Sequence, residues 1–265
     1  MSTLEEIGFE GLLVLNYDGL KDKECEEQVI DFVKSNETVS EKDVGFTKMI
    51  TKVAGYIVNS KSRVLDGHLE RLYNYSVEGF EKSSELREVL DSNSLFVMGA
   101  HFLSYAGDFA YKEFERTGDT EWGIKAFDSR TNSADMVKEI DIEDAGYRYG
   151  FAGHTAWKLA NHTGDSFWFK RMFECSRVSA DILKNKNPSH AAHLYDSAAL
   201  AAKKLFESTE KSFWLESWYA HSRKAADMAS ELKLHIDGEN YVSAAKAARS
   251  FSGTIQTSRL SFSPR

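Results

Sequence analysis

Thr163-Gly164-Asp165-Ser166-Phe167-Trp168 decides the fold, because the chain carries this hexapeptide pattern three times at one spacing. Thr117-Gly118-Asp119-Thr120-Glu121-Trp122 precedes it and Thr209-Glu210-Lys211-Ser212-Phe213-Trp214 follows it, so that Trp122, Trp168 and Trp214 stand 46 residues apart. The neighbours keep phase. Ser133-Ala134-Asp135-Met136, Ser179-Ala180-Asp181-Ile182 and Ala225-Ala226-Asp227-Met228 occupy equivalent places. A period between about 20 and 50 residues marks a solenoid, in which each unit buries its apolar face only against its neighbours.

Each period divides into two helices. The first carries small or apolar residues four apart: Ala106, Ala110 and Phe114, then Ala152, Ala156 and Ala160, then Ala198, Ala202 and Phe206. That spacing keeps a stripe on one side of a 3.6-residue helix, and small side chains admit a partner helix closely. The second helix has its own stripe, typified by Trp168, Met172, Cys175, Ser179 and Ile182. Between the helices, Gly118 or Gly164 ends one and Asp119 or Asp165 caps the next. The chain has two prolines, and Pro188 sits where a helix start tolerates one.

The phase places hairpins at 95–140, 141–186 and 187–232, and a further first helix at 237–250 around Ala244 and Ala248. The organisation expected is a segment at 1–21 of uncertain order, degenerate helical hairpins at 22–94, three regular hairpins plus a capping helix at 95–250, and a mobile Ser/Thr-rich tail at 251–265. Atypical end units suit a stack whose last faces meet water.

The 265 residues are 42% apolar, enough for a sizeable core, and the repeat favours one elongated domain. A net charge of −8 argues against a general nucleic-acid binder. Two cysteines, Cys25 and Cys175, exclude a disulfide framework. Cys175 lies on an apolar stripe and reads as a buried thiol. No run reaches membrane-spanning length, and Glu5 and Glu6 stand where a secretory leader would be basic. These features predict a cytoplasmic protein without membrane insertion.

Gly-Asp turns between paired helices, with small residues at the crossing and Trp, Tyr or Phe beside it, resemble the tetratricopeptide class. The long hairpins look most like those of soluble NSF attachment proteins. The resemblance covers residues 95–250 clearly and 22–94 weakly. It departs from the usual pattern in its 46-residue period and in having one inter-unit proline. It implies an all-α, right-handed superhelical solenoid of antiparallel helix pairs with a 46-residue repeat, and the general role of a protein or peptide binder.

Three constellations invite chemistry. Asp135, Asp181 and Asp227 recur in register, but equivalent positions in successive hairpins lie about 10 Å apart, too far to share a metal. Arg177 and Arg223 stand four residues before Asp181 and Asp227, which is ion-pair spacing. His190-x2-His193 has zinc-like spacing without a third ligand nearby. Arg63-x4-His68 and Arg148-x5-His154 match the loose pattern of all-helical HEPN ribonucleases, which is the alternative enzymatic reading. No phosphate-binding Gly-rich loop, Gly-x-Ser-x-Gly, His-Glu-x-x-His or Cys-x-x-Cys occurs. No cofactor, metal or catalytic residue is expected.

Opposite the small-residue stripe, each first helix presents residues spaced i, i+4, i+7 and i+11. They are His101, Tyr105, Asp108 and Lys112; Tyr147, Phe151, His154 and Lys158; His193, Ser197, Leu200 and Lys204. The fourth position is lysine each time. By the tetratricopeptide resemblance these helices line a concave groove, predicting a partner-binding face for an acidic protein or peptide. Lysines kept on a helix face for solubility account for the same pattern. The Ser263-Pro264 dipeptide is a candidate phosphorylation site.

Overall fold

The computed structural model describes residues 69–90 and 93–232, and among these every element is an α-helix. In chain order they are α1 (Leu69–Leu90), α2 (Asn93–Thr117), α3 (Thr120–Val137), α4 (Ile142–Thr163), α5 (Ser166–Leu183), α6 (Pro188–Thr209) and α7 (Ser212–Glu231). The expected segment at 1–21, the hairpins before residue 69, the helix at 237–250 and the tail at 251–265 lie outside the described residues, as do Cys25, Arg63 and His68. Helices consecutive in sequence pack on one another, α1 on α2, α4 on α5, α5 on α6 and α6 on α7. The chain divides into two compact units, residues 1–133 and 134–265.

In the first unit, Gly79 of α1 lies beneath the ring of Phe102, so close that a Cβ there would meet it at 2.9 Å. Gly107 of α2 approaches Arg130 of α3, and nearer the start of α2 the Ser133 hydroxyl donates to the Ala100 carbonyl at 2.6 Å. Contacts that pair 107 with 130 and 100 with 133 run in opposite directions, which makes α2 and α3 antiparallel. Trp122 sets its ring edge-on to Tyr73, with centroids 5.4 Å apart. The second helix of the hairpin therefore reaches back to α1 through its tryptophan.

The second unit repeats these devices one period later. Gly146 of α4 faces Ile182 and Leu183 of α5, Gly153 faces Ser176, and Ser179 donates to the Gly146 carbonyl at 2.6 Å. Gly146 and Gly153 are spaced to let α5 approach the α4 backbone, and the hydroxyl then satisfies itself on a carbonyl in a dry seam. Trp214 of α7 meets Phe173 of α5 edge-on at 5.3 Å. Trp168 is buried. Ala180, Leu183, Ala191, Leu194, Tyr195 and Ala225 form one core cluster from α5, α6 and α7.

The turns explain the hexapeptide. Gly118 and Gly164 adopt φ of 72° and 70°, and their amides donate to the carbonyls of Phe114 and Ala160. This is the left-handed helix end that glycine adopts without strain. Asp119 and Asp165 then accept from the amides of Glu121 and Phe167. The threonine works in both directions: Thr163 donates to the Leu159 carbonyl at 2.8 Å and accepts from the Asp165 amide at 3.2 Å. Thr117 and Thr209 repeat the arrangement. Phe114, Ala160 and Phe206 supply the equivalent carbonyls.

Candidate partner-binding face

The recurring aspartates are tied to tyrosines that the sequence reading passed over. Asp135 accepts from the Tyr149 hydroxyl, and one period later Asp181 accepts from Tyr195 at 2.6 Å. Burial, then the hydrogen bond to the carboxylate, pushes both phenols above their ordinary range. A phenol so held keeps its proton and donates a hydrogen bond to Asp, so these pairs join a second helix to the next first helix. Arg177 reaches Asp181 at 3.3 Å and Lys224 reaches it at 3.8 Å, while Arg223 lies 3.6 Å from Asp227. The signal was a tyrosine 14 residues after each aspartate. Tyr241, 14 residues after Asp227, continues it in sequence but falls outside the described residues.

In the first unit, the rings of His101 and Tyr105 stack 6.5 Å apart, and both residues are half-buried. Asp108 is engaged by Arg130 Nη2 at 2.7 Å, a bridge from α2 to α3. That contact gives Asp108 a role inside its own hairpin. Lys112 is half-buried.

In the second unit, α4 and α6 touch directly and run parallel. A Cβ at Gly150 would lie 3.4 Å from Leu194, the Tyr147 and His190 rings are 5.6 Å apart, and the Tyr147 hydroxyl accepts from Asn187 Nδ2 at 3.1 Å. Asn187 Oδ1 also caps α6 by accepting from the His190 amide. Tyr147 is thus a seam residue. Phe151, His154, His193, Leu200 and Lys204 are exposed, and Lys158 is half-exposed. Phe151 keeps 58% of its surface in contact with solvent and Leu200 keeps 41%. His154 lies 5.3 Å from the Trp157 ring, over which Lys158 Nζ sits at 5.6 Å. Lys204 Nζ is 3.4 Å from Glu207, and the Ser197 hydroxyl donates to the His193 carbonyl.

Two further sequence motifs fall on α4 and α6. His190 is half-buried and His193 exposed; burial and the nearby His193 lower the His190 pKa. Among the described residues no group of three His, Cys, Asp or Glu side chains is arranged to hold a metal ion. Arg148 is 4% exposed and binds Asp144 through Nη2 at 2.6 Å and Nε at 3.0 Å. Six residues later, about 240° around the helix, His154 faces solvent. Cys175 is a buried free thiol whose pKa burial pushes up to about 12. Phe167 and Phe213, one period apart at the starts of α5 and α7, expose their rings, each edge-on to the tryptophan beside it.

No protein-family model and no curated protein matches the chain. Among solved structures it is similar to the de novo designed helical repeat protein DHR64, at 12% identity and a TM-score of 0.41, over 78% of this chain and 97% of that one. It is also similar to the DHF58 filament, at 12% identity and a TM-score of 0.38, over 88% and 98% of the two chains. No helix among the described residues is long and apolar enough to cross a membrane.

Proposed function

We propose that this protein is a non-enzymatic interaction scaffold that holds a protein or peptide partner on its first helices. In this reading it is a right-handed, tetratricopeptide-like solenoid of the cytoplasm and works without a cofactor. The observation that carries it is the exposure of Phe151 on α4 and Leu200 on α6, two helices in contact with one another. A single exposed apolar residue is ordinary on any surface. Two on adjacent helices, each with imidazoles and lysines on its own helix, have the composition of an interaction patch.

The test is a photo-crosslinking residue installed at position 151 in the native host, with a second one at exposed Lys138 as control. The expected result is a discrete covalent adduct from 151 and none from 138. Equal, diffuse labelling at both positions removes this face as a partner site.

A further inference from the structure

We propose that the starts of α5 and α7 form a self-complementary surface for a second copy of this chain, Phe167 and Phe213 of one copy packing on Phe213 and Phe167 of the other. The two rings are presented alike. Gly164 and Glu210 close the preceding helices in the left-handed region, at φ of 70° and 55°. Each phenyl then stands edge-on to the next tryptophan, 5.0 Å away at 78° for Phe167 and 4.9 Å away at 70° for Phe213. Contacts that pair Phe173 with Trp214 and Asp181 with Lys224 rise together along both helices, so α5 and α7 touch, run parallel and begin at the same end. The turn does not need these rings. The second position of α3 holds Glu121, whose amide donates to Asp119 as the Phe167 amide donates to Asp165. The backbone forms that cap whatever the side chain is, yet Phe167 and Phe213 keep 46% and 59% of their surface in water.

Charge decides what covers them. Beside Phe167 stand Asp165, which caps α5, and exposed Lys170 and Arg171, with Glu174 3.8 Å and 3.2 Å from the two cations. One period later Lys211 replaces Asp165 and Glu216 replaces Lys170, with Glu210 next to them, all three exposed. Exposed His162, and Glu207 tied to Lys203 and Lys204, complete the charged groups beside the turns. With both signs present, neither an anionic lipid surface nor nucleic acid finds a matching field. A two-fold axis lays the α5 turn of each copy against the α7 turn of the other, which brings Lys170 to Glu216 twice at a spacing fixed by the chain itself. The four phenyl rings meet at the centre, where interfaces concentrate aromatic side chains. Two turns per copy cover less than the roughly 1,200–2,000 Å² of stable complexes, so this dimer is weak and sensitive to salt.

Sedimentation equilibrium of the full chain over a concentration series, at about 0.05 M and about 0.5 M salt, reads the association. A reversible monomer–dimer equilibrium that weakens at the higher salt is expected. Phe167→Glu/Phe213→Glu, which places the residue of the α3 start at both sites, should stay monomeric. Lys170→Glu and Glu216→Lys should each dimerise about tenfold more weakly, and an equimolar mixture of the two should recover the parental affinity, because every contact in the mixed dimer again pairs opposite charges. A chain monomeric at every concentration, a dimer unchanged in the double phenylalanine variant, or a mixture no tighter than its components would each overturn the proposal. So would a monomer that sediments with anionic phospholipid vesicles through the same two rings. If a variant melts below the parent, a photo-crosslinking residue at 213 in mixed light and heavy isotope chains decides: adducts must join 213 of one copy to residues 163–171 of another. None of the partner-face residues is used, so crosslinking at 151 and sedimentation test the two readings separately.

Discussion

Glu210 stands where the two preceding hairpins have glycine, and its φ of 55° shows the third turn keeping the left-handed geometry with a side chain that disfavours it. The next residue, Lys211, makes no side-chain capping bond, whereas Asp165 does. A left-handed non-glycine residue costs about 1–2 kcal/mol, and a missing cap about 1 kcal/mol. Glu210→Gly with Lys211→Asp should therefore raise the thermal midpoint, and unchanged melting would show that this turn is strained in geometry only. His221 sets a pH dependence. Its Nδ1 lies 2.8 Å from the Ser217 carbonyl oxygen, its ring abuts Phe173 and Tyr195, and burial lowers its pKa. The unfolded chain then binds the proton more readily, at an ordinary value of about 6.5, so stability falls as pH drops through that value and levels off below the folded pKa. Urea midpoints should decline on acidification. His221→Phe should flatten part of that decline, and an identical slope in the variant would exclude His221 as its source.

Hairpins hold together by devices that the sequence displays unequally. Repeated tryptophans, alanines and Gly-Asp turns announced the helix pairs, because each is an identity visible at one spacing. Tyr149 and Tyr195 were obscured because their partners lie 14 residues upstream on another helix. Asp108 and Tyr147 have the periodicity of a surface, yet one binds Arg130 and the other Asn187. Helical phase says which side a residue occupies, and only packing says how near the next helix comes. Two energies follow. Trp168→Ala empties a buried aromatic site and should cost about 3–5 kcal/mol in chemical denaturation. Ser179→Ala removes the hydroxyl from the Gly146 carbonyl and should cost about 1 kcal/mol. If both losses were equal, the tryptophan could not be an interlocking residue.

For the molecule as a whole, scaffold and enzyme part company on one simple measurement. Purified chain incubated with single-stranded RNA should leave it intact; cleavage that disappears in His68→Ala would replace the scaffold with a ribonuclease. In the second unit, the seam between α4 and α5 is fastened by Ser179, while α7 has Ala225 at the corresponding place. Pulled along the chain, α6 and α7 should slip past each other before α4 and α5 do. Within this unit their hairpin is the compliant joint, and a partner seated on α4 and α6 through Phe151 and Leu200 leaves that joint free to give.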